Sequence, residues 1–141
     1  MKIWQRLYCT IWLAFFSCVL IPRWMGSYAG SAAHVLLGVA LLILTLSNAR
    51  LLKTMPVPQR LKRISTVTTG FAIFQVVNGL ALGAVTHLYP DLPAAGAALR
   101  GLHVVCALTI LAQASSVATA YDMWEEREFE NASLDKNPDN S

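Results

Sequence analysis

The sequence predicts an all-α membrane protein, a four-helix up-down bundle with both termini on the cytoplasmic side. Three observations carry that reading. First, the chain is 55% hydrophobic and 13% charged, whereas a soluble domain has about a quarter of its residues charged. Second, four long apolar segments, Ile3–Ile21, Ala32–Leu52, Ser65–Leu88 and Ala97–Ala120, alternate with short polar ones. Each is near or above the roughly 17–25 residues that span a bilayer as a helix. Third, runs such as VLLGVALLILTL lack the period-2 alternation of a barrel strand. Without water in the bilayer core, helices are then the remaining spanning structure.

The first span opens with Lys2 and Arg6 and continues LYCTIWLAFFSCVLI, with small residues at Ala29 to Ala33. That order resembles a secretory signal; we read it as a retained first helix, with cleavage as the alternative. Arg23 lies in the connection that follows. The second span ends in a basic connection holding Arg50, Lys53, Arg60, Lys62 and Arg63. The third ends near THLYP, and Arg100 precedes the fourth. Basic residues stay on the cytoplasmic side of short loops. The termini and the 50–63 connection are therefore expected inside, with Arg23 and Tyr89 outside. This expectation makes the chain a multi-pass protein of the plasma membrane.

The net charge of +3 thus reports topology, and no nucleic-acid partner is expected. Cys9, Cys18 and Cys106 all fall within spans, none in a CxxC pair. Buried cysteine behaves as a small hydrophobe, and these receive no role. Residues 121–141 form a polar, acidic cytoplasmic tail, its first part extending helix 4 and the rest disordered by composition. Asn131-Ala-Ser has the form of a glycosylation sequon, but this topology places it inside.

The chain's three histidines are His34, His87 and His103. His34 opens span 2, His103 opens span 4 and His87 closes span 3, so all three share one layer towards the outer face. An ionisable group inside a span is a functional hypothesis by default. His87 stands at the interface, where solvation alone accounts for it. His34 and His103 are deeper, and each taken singly reads equally well as a hydrogen-bonded structural residue. As a pair on parallel helices, diagonal across an up-down bundle, they point to ligation. Two imidazoles suit an iron porphyrin, for which histidine is a standard axial ligand. A bare zinc ion would want about three or four ligands, and no carboxylate accompanies the pair within the spans.

The neighbours suit a flat macrocycle. Gly30, Ser31 and Gly38 flank His34, and Gly101 and Ala107 flank His103. Gly79 and Gly83 give helix 3 a GxxxG spacing, which equally serves plain helix packing. Arg100 and Arg23, the two basic residues expected outside, suit two propionates, since arginine binds carboxylates bidentately. Gln75 and Asn78 sit deep in span 3 as interhelical hydrogen-bonding groups or ligand contacts. Asn48 lies nearer the cytoplasmic side, where no histidine supports a second cofactor.

These residues resemble a family. GFAIFQVVNGLALGAVTHLYPDLPAAGAALRGLHVVCALTILAQAS looks like the third and fourth helices of one half of heme A synthase, with Gln75, Gly79 and His103 at the matching places. AAHVLLGVALLILTL resembles the helix that opens with the other axial histidine, here His34. The resemblance spans about residues 30–118. It implies a b-type haem held near the outer face, oxidation of haem O to haem A, and pairing of two such chains to recreate the family's two-fold. The catalytic half of the family carries a glutamate four residues before this histidine and an arginine directly after it. Here those positions are Gly30 and Val35, so the chain is nearer the cofactor half.

The leading expectation is a b-haem protein of the heme A synthase type, acting in haem A formation or terminal-oxidase assembly. Its electrons would come from a partner such as a quinol. One alternative is an electron-transfer cytochrome b subunit of a respiratory complex. Another is a cofactor-free structural subunit whose histidines hydrogen-bond between helices.

Overall fold

A computed structural model describes residues 2–19 and 28–135. It is all-helical: α1 spans Ile3–Val19, α2 Tyr28–Thr54, α3 Gln59–Leu88 and α4 Pro93–Asp135. α2, α3 and α4 are each long and apolar enough to cross a membrane. α1, as described, has 17 residues.

Proline sets both described connections. At the first, Pro58 caps α3 with φ −54° and ψ 141°, and its carbonyl accepts from the Leu61 and Lys62 amides at 3.0 and 3.4 Å. Proline is tolerated there because the opening amides of a helix have no intrahelical acceptor. At the second, the Leu92 amide donates to the Tyr89 carbonyl at 3.1 Å, closing a turn around Pro90 and Asp91. Pro93 then begins α4, the helical position where its fixed φ is an advantage.

Connections this short make neighbours antiparallel. α1 packs on α2 and α4, and α3 packs on α2 and α4, which leaves α2 and α4 diagonal. The side-chain pairings fix the register. Thr10 meets Asn48, Thr69 meets the carbonyl of Thr45, Gln75 meets that of His103, and Tyr8 meets Asp122.

Four layers follow along the axis. At the end nearest the basic α2–α3 connection, Leu7, Leu52, Val57, Leu61, Val117 and Tyr121 form an apolar cluster. Next comes a polar layer, with Thr10, Thr45, Asn48, Ser65, Thr68 and Thr69 all buried. A second apolar cluster, Ala14, Leu41, Ala72 and Ile110, separates it from the end that holds His34 and His103. The buried set is rich in small and hydroxylated side chains, whereas Trp12, Leu36, Ile43, Leu80 and Val105 face outward, 57–70% exposed. That inversion of the soluble pattern is what lipid permits, because burying apolar side chains gains little when the surroundings are hydrocarbon.

Several boundaries differ from the expected spans, and α4 begins at Pro93 rather than near Ala97. α3 begins at Gln59 rather than near Ser65, and α2 begins at Tyr28 rather than near Ala32. α4 continues through Asp135, so the acidic segment beyond Ala120 is helical as far as it is described. The remainder of the tail, and the connection containing Arg23, lie outside the described residues.

Candidate functional site

The structure brings His34 and His103 together. Their rings face each other from α2 and α4, with centroids 5.8 Å apart and planes inclined by 49°. Counting from the α2–α3 connection explains the match in level. Leu41 and Ile110 share one cluster, and each histidine stands seven residues further along its helix. At about 1.5 Å of rise per residue, both reach the same height.

α3 supplies the seat. A Cβ added to Gly79 would lie 3.1 Å from Cε1 of His103 and 3.7 Å from its Nδ1, so the glycine leaves the space that the imidazole fills. One turn away, the Gln75 amide nitrogen donates to the His103 carbonyl at 2.9 Å, and the Asn78 amide nitrogen donates to the Leu99 carbonyl at 3.3 Å. The two bonds tie α3 to the opening turns of α4 at the level of the histidine. They also answer where two amides in a helix apolar enough to cross a membrane find partners.

Polar satisfaction stops short at the rings. Nδ1 of His34, Nδ1 of His103 and Oε1 of Gln75 are buried with no hydrogen-bond partner. A buried polar atom left unpaired costs about 1–3 kcal/mol. A metal bond or a hydrogen bond made at Nδ1 itself would remove that cost. Among the described residues no group of three or more histidine, cysteine, aspartate or glutamate side chains could hold a metal ion. Two facing imidazoles without further protein ligands suit a metal whose remaining positions come with its own macrocycle. On donor type and number, the pair fits a group of that kind.

The other candidates distribute around this pair. Gly30 is buried and Gly38, Gly83 and Ala107 are half-buried. Beside Gly38 and Gly83 an added Cβ would meet nothing within 4 Å, so both leave open space on their helices. Arg100 is exposed one turn before His103, and His87 is exposed near the end of α3. Arg23 lies outside the described residues. The three cysteines are free, with Cys106 buried, Cys18 half-buried and Cys9 exposed.

Sequence reasoning singled out Asn48 below the site but not the polar layer around it. The Asn48 amide donates to the Thr10 hydroxyl at 2.8 Å, which itself donates to the Arg6 carbonyl at 2.8 Å. The signal was present as Ser65, Thr68 and Thr69, spaced by three and four on one face of α3. Hydroxyls at that spacing read as local bonds to helix carbonyls until the facing helices are known.

No protein-family model, curated protein or solved structure matches the chain.

Proposed function

We propose that this chain is an integral membrane protein that holds a b-type haem between His34 and His103, near the outer face. Its role is of the heme A synthase type, in haem A formation or terminal-oxidase assembly. The observation that carries the reading is the close approach of the two imidazoles, 5.8 Å between centroids. His34 and His103 would hold the haem iron, Gly79 leaves room for the His103 ring, and Arg100, with Arg23 as its counterpart, would bind the propionates. When bound, the haem supplies reversible one-electron iron chemistry. The chain's own part is to orient two imidazoles, exclude water with apolar helices and present a guanidinium at the rim.

In this reading α1 is a fourth span, both termini are cytoplasmic, the membrane is the plasma membrane, and a quinol or an oxidase-assembly partner exchanges electrons with the site. A symmetric homodimer follows from the family resemblance and is the commonest form of homo-oligomer. With Gly30 at the position of the family's glutamate, the cofactor role is better supported than hydroxylation of a haem methyl group.

The test is a reduced-minus-oxidised absorbance spectrum with pyridine haemochrome typing, on protein purified from a haem-replete host. A b-type spectrum that collapses in His103→Ala and in His34→Ala is expected. A flat spectrum in the unmutated protein overturns the reading and leaves a structural subunit. Conversion of haem O to haem A by the purified protein would then separate an enzyme from an electron carrier.

A further inference from the structure

The polar layer between the two apolar clusters surrounds a cavity lined by Thr10, Thr45, Asn48, Ser65 and Thr68, together with apolar side chains. Its volume is about 10 Å³. One ordered water needs roughly that much, and it needs about two to four polar partners.

The partners are present. Asn48 is 3% exposed, its amide nitrogen is used on Thr10, and its Oδ1 is buried without a partner. The hydroxyls of Thr10, Thr45 and Thr68 donate to the carbonyls of Arg6, Leu42 and Ile64 at 2.8, 3.0 and 2.9 Å. Each of those oxygens still has lone-pair capacity. Ser65, 4% exposed, is the lining hydroxyl left to donate. Two acceptors and a donor around one water-sized space match the two protons and two lone pairs of water.

We propose that this cavity is a binding site for a single ordered water, which donates to Asn48 Oδ1 and to a threonine hydroxyl and accepts from Ser65. The water bridges α2 and α3, and Asn48 ties it to Thr10 of α1, at a level where side chains alone leave an amide oxygen unpaired. The site stands apart from the histidine pair, with Leu41, Ala72 and Ile110 between them, and it does not depend on haem.

The experiment is proton-detected solid-state NMR of the full chain in phosphatidylcholine bilayers, reading magnetisation transfer from water to the Asn48 side-chain amide. A transfer peak is expected in the unmutated protein. It is expected to disappear in Ser65→Val, which fills the cavity and leaves Thr10 and Asn48 in place, while the helical circular dichroism is retained. If Ser65→Val fails to fold, Thr68→Val takes its place, with at least a two-fold loss of peak intensity expected. No transfer peak in the unmutated protein, or an undiminished peak in a folded variant, overturns the proposal.

Discussion

A methyl group at position 79 would sit 3.1 Å from Cε1 of His103, so the smallest side chain fixes where the imidazole lies. Gly79→Val is therefore expected to destabilise by about 1–3 kcal/mol through overpacking and to displace the His103 ring resonances in NMR spectra. Gly38 and Gly83 differ, since nothing lies within 4 Å of an added Cβ there. Gly38→Ala and Gly83→Ala are expected to leave the stability of haem-free protein unchanged or to raise it by up to about 1 kcal/mol, as the helix propensity of alanine dictates. If they line the macrocycle as proposed, the same two changes lower haem occupancy. Thermal unfolding in detergent, beside the haem-to-protein absorbance ratio, reads both effects. Equal costs at positions 38, 79 and 83 would contradict the seat described for His103.

At the scale of helices, α3 and α4 are joined at the site by two amide-to-carbonyl bonds, Gln75 to His103 and Asn78 to Leu99. Interhelical hydrogen bonds in membrane proteins average only about 0.6 kcal/mol, with a maximum near 1.7. Asn78→Ala is expected to cost an amount in that range, measured by unfolding in mixed micelles. Leu52, fully buried in the cluster at the basic end, is expected to cost more. Leu52→Ala leaves a cavity, for which about 2–5 kcal/mol is usual. A larger loss at Asn78 than at Leu52 would mean that the polar bridges, and not apolar packing, hold the bundle. The existence of four helices was legible in the apolar runs, but their ends were not. Hydropathy reports where lipid stops, whereas a helix continues as long as its backbone bonds do. α3 thus starts at Gln59 within the basic connection, and α4 carries Glu125, Glu126, Glu128 and Glu130 on helical backbone. The histidine pair was legible because equal depth follows from counting residues along α2 and α4, which run parallel on either side of α3. The Asn48–Thr10 bond was not, because it depends on how α1 slides against α2, and no pattern within either helix states that register.

For the whole molecule, the charge distribution and the layers bear on one question, which way the bundle sits in the membrane. Arg50, Lys53, Arg60, Lys62 and Arg63 crowd the end of the bundle opposite the histidines, and Lys2 and Arg6 open α1 at that same end, Arg6 donating to the Ser47 hydroxyl. In the orientation proposed above, which rests on the positive-inside rule, this end is cytoplasmic, the histidine layer lies towards the outside and α1 crosses. Alkaline phosphatase is active only after export, and green fluorescent protein exported by the general secretory route does not fluoresce. A C-terminal fusion to fluorescent protein is therefore expected to glow, and the phosphatase fusion at the same point to be inactive. A phosphatase joined after Tyr89, at the end of α3, is expected to be active. If instead the C-terminal phosphatase fusion is active and the Tyr89 fusion is silent, the bundle is inverted. His34 and His103 would then face the cytoplasm, and the outer-face haem site would have to be abandoned even if the two imidazoles still bind iron.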